Sequence, residues 1–130
     1  MIYYRLILLF LTFYCQKNYS QASNCEQMHV GKFELKSKVS GTTTIIRTAT
    51  TQTEINKLMD VKSIYDIVWI DKCTYELRNR RLLKGDTKYN GEPNDVFKIQ
   101  ILKVEGIKAW LKTTANFTDF VTESVVYKIE

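Results

Sequence analysis

Apolar and polar residues alternate with a period of two along most of this chain, a pattern typical of β-strands with one buried face. Residues 31–38 set Phe33 and Leu35 between charged neighbours, and residues 96–104 repeat the alternation. Residues 42–51 are rich in threonine and isoleucine, and β-branched side chains favour a pleated backbone. No segment beyond the first 22 residues shows a helical repeat long enough to predict a helix.

Short turn signals separate these runs, and about eight strands result. Residues 52–58 suit either an edge strand or a short helix, and we predict a strand. Residues 80–95 carry three successive turn signals and should form a mobile loop at one mouth of the domain. We therefore predict an all-β fold, an antiparallel meander that closes by pairing its first and last strands into a barrel, with a sandwich as the alternative. Several bulky residues should point inward: Phe33, Phe97, Leu111 and Tyr127.

The stretch 64–77 predicts a β-hairpin at the centre of this fold. A two-residue loop at Asp71-Lys72 would place Asp66, Val68 and Ile70 on the inner face with three residues of the next strand, namely Cys73, Tyr75 and Leu77. The outer face would then carry Tyr65, Ile67, Trp69, Thr74, Glu76 and Arg78. Asp-Lys is a weak turn sequence, so a longer loop with a slipped register stays open as an alternative.

The first 22 residues have the layout of a secretory signal peptide. Arg5 precedes an apolar run that is shorter than the roughly 20 residues of a membrane span, and small residues occupy positions 20 and 22. We predict export to the periplasm or the extracellular space, no stable membrane span, and a single domain over residues 23–130. The alternative is a lipoprotein anchored at Cys15, although bulky Tyr14 stands where a small residue normally precedes such a cysteine.

Removal of the signal peptide would leave two cysteines, Cys25 and Cys73. An even pair in an exported chain predicts one disulfide.

The formal charge falls from +5 to +3 because Arg5 and Lys17 leave with the signal peptide. So mild a charge does not indicate nucleic-acid binding.

The candidate chemistry is sparse. His29 is the only histidine, and one histidine with two disulfide-bonded cysteines cannot supply a zinc site. We therefore predict no catalytic residues, no metal and no cofactor. Asp66, the polar residue on the predicted inner face, could orient a ligand beside Arg47 or Tyr75.

Aromatic and basic residues offer two further candidates. Trp69 could contribute to an aromatic surface for a ligand or partner, or simply pack in the barrel wall. The only basic cluster comprises Arg78, Arg80, Arg81 and Lys84. It could contact an anionic surface, but a solvated loop that blocks pairing at a strand edge is the commoner use.

Several of these motifs carry a family resemblance. Cys25 near the mature start, Gly31-x-Phe33, the Val-Trp-Ile-Asp-Lys-Cys-Thr-Tyr-Glu-Leu segment at 68–77 and a valine-rich last strand resemble small secreted lipocalin-like β-barrel proteins of Bacteroidota. Gly31-x-Phe33 is similar to the Gly-x-Trp opening of lipocalins, with Phe for Trp, and Lys128 stands where they place a late arginine. Such proteins sometimes carry topoisomerase labels, but this chain has no glycine-rich phosphate loop and no acidic metal triad.

The resemblance and the pattern together imply a non-enzymatic, monomeric barrel that holds a small apolar or amphiphilic ligand. An interaction module for an envelope protein, with a filled barrel, is the second hypothesis. An enzyme using Asp66 and a neighbouring base is the third. Interior volume distinguishes the first two hypotheses, because a barrel whose bulky side chains meet at its centre holds no ligand.

Overall fold

The structure, a computed structural model, describes residues 24–130. The predicted signal peptide, its cleavage site and Cys15 lie outside the described residues. Eight strands follow one another along the chain: β1 (Gly31–Ser37), β2 (Gly41–Arg47), β3 (Thr51–Asn56), β4 (Val61–Asp71), β5 (Thr74–Lys84), β6 (Phe97–Glu105), β7 (Lys108–Ala115) and β8 (Thr118–Lys128). Two short 3-10 helices accompany them, an N-terminal one at Cys25–Met28 and a second one at Thr87–Tyr89. No helix within residues 24–130 is long and apolar enough to cross a membrane.

The strands form a closed antiparallel barrel in which each pairs with its neighbours in sequence. β1 and β8 close the barrel, with Phe33 opposite Lys128 and Leu35 opposite Val126. Gly31, at φ 142°, permits this closure, because a Cβ at that position would lie 2.5 Å from the Glu130 carbonyl oxygen. The predicted all-β meander and its barrel closure are confirmed, and so is the predicted strand at 52–58, which forms β3.

The inner face of the β4–β5 hairpin differs from the prediction. Trp69 pairs with Tyr75 and Ile67 with Leu77, one residue away from the predicted register. The turn consists of Lys72-Cys73, because the Asp71 carboxylate accepts a hydrogen bond from the Cys73 amide at 2.8 Å. A one-residue slip turns every side chain of a strand to the opposite face. The slip places three aromatic or aliphatic residues of β4 inward, namely Tyr65, Ile67 and Trp69, and three outward, namely Asp66, Val68 and Ile70.

Two further predictions need correction. Tyr127 lies on the outer face beneath the ammonium of Lys108, at 5.4 Å, whereas its neighbour Val126 is buried opposite inward-facing Ala109. The last strand is apolar on both faces, so alternation alone did not identify its inner side.

The predicted 80–95 loop is shorter than expected, because β5 continues to Lys84. The remaining connection, hereafter the 85–96 loop, lies at one end of the barrel.

The N-terminal 3-10 helix covers the opposite end, hereafter the disulfide end. The predicted Cys25–Cys73 disulfide is present, with the two Cα atoms 5.2 Å apart, and it attaches this helix to the β4–β5 turn. Met28, which is 1% exposed, packs with Phe33 in the core. The Lys128 ammonium also donates a hydrogen bond to the Gln27 carbonyl at 2.6 Å. The disulfide end is thus sealed by covalent, apolar and polar contacts.

We predict that replacing both Cys25 and Cys73 with serine lowers the free energy of unfolding by about 4 kcal/mol, since the disulfide spans 48 residues. Urea unfolding followed by circular dichroism measures the change. Dithiothreitol should destabilise the wild-type protein by a similar amount and leave the double variant unaffected. Equal stability of the oxidised wild type and the double variant would contradict this prediction.

Candidate ligand-binding lumen

The barrel interior contains two cavities. The first, hereafter the apolar chamber, has a volume of about 170 Å³. Its wall is mostly aliphatic and aromatic: Leu35, Ile45, Gln52, Glu54, Tyr65, Tyr75, Leu77, Phe97, Ile99, Leu111, Thr113 and Ser124. The second, hereafter the polar chamber, has a volume of about 150 Å³ and lies toward the 85–96 loop. Its wall is formed by Ser40, Thr43, Glu54, Asn56, Met59, Val61, Ser63, Arg80 and Tyr89. Glu54 lines both chambers, so the two spaces meet at its side chain.

The polar side of the lumen comes from β3. Gln52, Glu54 and Asn56 alternate inward along this strand, while Thr53 and Ile55 lie between them on the outer face. This row of inward polar side chains was not predicted from the sequence, because an inward face was expected to be apolar. The detectable signal was the period-two recurrence of polar side chains within a β-branched strand.

Arg47 is buried at the disulfide end, only 3% exposed. Its guanidinium donates to Gln52 Oε1 at 2.9 Å, to Tyr75 Oη at 2.8 Å and to the Met28 carbonyl. The same group lies over the ring of Phe33 at 4.6 Å and over the ring of Tyr75 at 4.7 Å. These contacts satisfy a buried charge and join β2, β3, β5 and the N-terminal helix.

Three of the four predicted site residues, Arg47, Tyr75 and Trp69, come together at the disulfide end. The half-buried ring of Trp69 lies 4.7 Å from that of Tyr75 and stacks on His29 at 3.5 Å. His29 Nε2 donates to the Lys72 carbonyl at 2.7 Å. Of these three residues only Tyr75 lines the apolar chamber, so Arg47 and Trp69 act as structural support beneath it.

The fourth predicted residue, Asp66, is not in the lumen, because the register of β4 turns it outward. Its carboxylate accepts hydrogen bonds from Arg81 and Asn79, both at 3.0 Å, and its side chain is 47% exposed. The hydrogen bond from Arg81, followed by that from Asn79, holds the pKa of Asp66 below its ordinary value. The prediction that Asp66 lies on the inner face is therefore wrong.

Glu54 is the acidic group of the lumen. Its carboxylate accepts a hydrogen bond from Gln52 Nε2 at 3.2 Å and another from the Tyr65 hydroxyl. Burial raises the pKa of Glu54, although these hydrogen bonds and the charges of Arg80 and Arg47 partly oppose the shift. Burial, followed by the negative charge of Glu54, likewise raises the pKa of Tyr65.

Arg80 enters the lumen because of a β-bulge in β5. Asp66 pairs with Arg78 and Ile64 with Arg81, so Asn79 and Arg80 together oppose the single residue Tyr65. Asn79 adopts φ 50° at this bulge, a left-handed conformation that asparagine tolerates better than most residues.

The bulge divides the predicted basic cluster. Arg78 pairs with Glu76 at 2.9 Å, Arg81 with Asp66 at 3.0 Å and Lys84 with Asp60 at 2.7 Å, all on the outside. Arg80 instead lies 5.7 Å from the ring of Tyr65. Its Nε and the Oγ of Ser63 are buried, and neither atom has a hydrogen-bond partner among the described residues.

Among residues 24–130 there is no group of three or more His, Cys, Asp or Glu side chains that could hold a metal ion. The chain matches no protein-family model, and it has no significant similarity to a curated protein or to a solved structure. The side chains and cavities of the lumen are therefore the basis for inferring a function.

We predict that Glu54→Gln becomes more stable relative to the wild type as pH rises. A raised pKa in the folded state favours folding fully below the ordinary value of 4.5, and this contribution is lost as pH increases through the raised pKa. Thermal unfolding between pH 4 and pH 8 measures the difference.

Asp66→Asn is the matched control, because the pKa of Asp66 is shifted in the opposite direction. Its stability relative to the wild type should fall as pH rises toward the ordinary value of 3.8 and should level off above that value, so this control is measured from about pH 2 upward. A pH-independent difference between Glu54→Gln and the wild type would contradict the account of Glu54.

Proposed function

We propose that this protein is a non-enzymatic barrel that binds a small amphiphilic ligand in its lumen. The observation that carries the proposal is the pair of adjoining chambers, one lined mostly by apolar residues and the other lined mostly by residues with polar side chains. Ligand sites typically combine an apolar wall with a few placed polar groups. A ligand with an alkyl or aromatic part and a polar head would match both chambers.

The volumes support a small ligand. An apolar cavity of about 150 Å³ can hold benzene, and the apolar chamber is of similar size, about 170 Å³. Small-molecule sites begin near about 300 Å³, a size that the two chambers reach only when taken together. The bulky inward residues Phe33, Phe97 and Leu111 therefore leave space at the centre.

Binding rather than catalysis is supported by the state of the polar groups. General acid–base catalysis requires a group whose pKa lies near the working pH and which reaches the reacting atom. The Tyr65 hydroxyl has its pKa shifted away from neutrality. Burial raises the pKa of Glu54, but its carboxylate already accepts hydrogen bonds from Gln52 and Tyr65 rather than facing a reacting atom. The only histidine, His29, stacks on Trp69 at the sealed disulfide end.

We also propose that the protein is exported and lipocalin-like. A disulfide favours an oxidising compartment. Gly31 and Phe33 open the first strand, a 3-10 helix precedes it, and Lys128 on the last strand hydrogen-bonds that helix. These features support the resemblance found in the sequence.

A second candidate function is the binding of an envelope protein at the rim of the barrel. The β7–β8 turn presents Phe117, which is 50% exposed, and the start of β8 presents Phe120, which is 82% exposed, and Val121. Large exposed apolar side chains grouped in this way are a feature of interaction sites. Blocking the lumen would leave such a rim site intact, so the experiment below separates the two functions.

We predict that the wild-type protein binds octan-1-ol and that Thr113→Phe, which fills the apolar chamber, weakens this binding at least about tenfold. A residue that occupies the cavity removes the space for the alkyl chain. Isothermal titration calorimetry measures the affinity.

Thr114→Phe is the matched control, because the neighbouring threonine lies on the outer face and should leave binding unchanged. If Thr113→Phe fails to give the wild-type circular dichroism spectrum, the smaller change Ser124→Leu fills the same chamber. Equal affinity of the wild type and a folded lumen variant would overturn the proposal, and so would the absence of octan-1-ol binding to the wild type.

A further inference from the structure

We propose that the head group of the ligand is a carboxylate, bound in the polar chamber by Arg80 and Ser63, with the alkyl part of the ligand in the apolar chamber. This inference rests on the proposed binding of an amphiphile in the lumen. It goes further by assigning the charge, the position and the orientation of the ligand.

Arg80 is the first observation. Its Nε–H group is buried without a hydrogen-bond partner among the described residues, although native proteins satisfy nearly all such groups. An unmade hydrogen bond from a buried charged donor is costly. Its basic neighbours in sequence, Arg78, Arg81 and Lys84, all have carboxylate partners on the outer surface. Within residues 24–130 Arg80 is the member of this cluster without a salt bridge, although its charge acts on Glu54, and it lines the polar chamber.

The local backbone is arranged to keep Arg80 inside. Without the bulge at Asn79, simple alternation from Leu77 would turn residue 80 outward. The 85–96 loop then covers the stem of Arg80, since a Cβ placed on Gly91 would lie 3.6 Å from the Arg80 Cβ. Bulges often re-aim a side chain next to a functional site.

Ser63 is the second, independent observation. It is 1% exposed and lines the same chamber, yet its hydroxyl also has no partner among the described residues. Asn56, another donor there, is already used by the Ser40 carbonyl and the Thr43 hydroxyl. The chamber therefore offers one guanidinium N–H and one hydroxyl to a ligand that can accept both.

The charge balance of the lumen favours an anion. Arg47 and Arg80 are two cationic groups, and Glu54, whose pKa burial raises, is the single carboxyl group among the described residues that line the chambers. Burial raises the pKa of the Tyr65 and Tyr75 hydroxyls, so these two side chains add no negative charge. A ligand bearing one negative charge would compensate the excess, whereas a cationic ligand would increase it.

A carboxylate fits the available donors better than a phosphate does. Its two oxygens can accept the Arg80 N–H and the Ser63 hydroxyl, whereas a phosphate has three oxygens to satisfy and a charge nearer −2. Because Glu54 lines both chambers, an alkyl chain that passes it enters the apolar chamber among Ile45, Ile99 and Leu111. The head group and tail thus have separate surroundings in one lumen.

The experiment compares octanoate with octan-1-ol by calorimetry at pH 7.5, using the wild type, Arg80→Gln, Ser63→Ala and Arg81→Gln. The wild type should bind octanoate at least about tenfold more tightly than the alcohol, because a hydrogen bond to a charged group contributes that much. Arg80→Gln should lose this preference, because its affinity for octanoate should fall more than its affinity for the alcohol, and Ser63→Ala should lose part of it. Arg81→Gln, the outward neighbour, should retain the wild-type preference.

Glu54→Gln provides a second test that does not depend on removing Arg80. Loss of the carboxyl group should increase the preference for octanoate over octan-1-ol relative to the wild type. Equal affinities of the wild type for octanoate and the alcohol would overturn the inference and leave the proposed function standing, whereas no binding of either would overturn both. Tighter binding of octyl phosphate than of octanoate would overturn the carboxylate assignment.

Discussion

The pairing of β1 with β8 is the contact on which the lumen depends, because an open meander would expose the face that the barrel encloses. Gly31 permits the close approach of the chain end, and Lys128 connects the last strand to the N-terminal helix. The Cys25–Cys73 disulfide and the buried Arg47 then hold that helix over one end. An eight-stranded barrel sealed in this way has an interior sized for side chains or one small ligand.

The composition of that interior is uneven, and this unevenness is the physical basis of the functional account. β6 and β7 contribute Ile99 and Leu111 to one wall, whereas β3 contributes Gln52, Glu54 and Asn56 to the other. Placing polar and charged groups in a lumen costs stability unless each finds a partner. Each guanidinium nitrogen of Arg47 donates a hydrogen bond, and these bonds support the fold. The buried Arg80 Nε and Ser63 Oγ atoms, in contrast, have no hydrogen-bond partner among the described residues. Stability alone does not explain such donors, whereas the proposed ligand would accept hydrogen bonds from both.

Sequence reasoning recovered what depends on local pattern and composition. The period-two runs identified the strands and their meander order, and two cysteines in the described chain identified the disulfide. Sequence reasoning failed where the inward face of a strand depends on the register of its pairing. The Asp71 side chain moved the hairpin turn by one residue and reversed the face of β4, which removed Asp66 from the lumen. The bulge at Asn79 brought Arg80 inside, and neither effect follows from alternation. Tyr75 was correctly placed on the inner face because β5 keeps the same face in either register.

The most direct test of the central claim is a methyl-detected NMR titration of the folded protein with octanoate. Binding in the lumen should shift the methyl signals of Ile45, Ile99 and Leu111, which line the apolar chamber, and leave those of outward-facing Ile46 and Ile70 unchanged. Shifts confined to the outward methyl groups, or no shifts at saturating octanoate, would contradict the account of this barrel as a container for a small amphiphile.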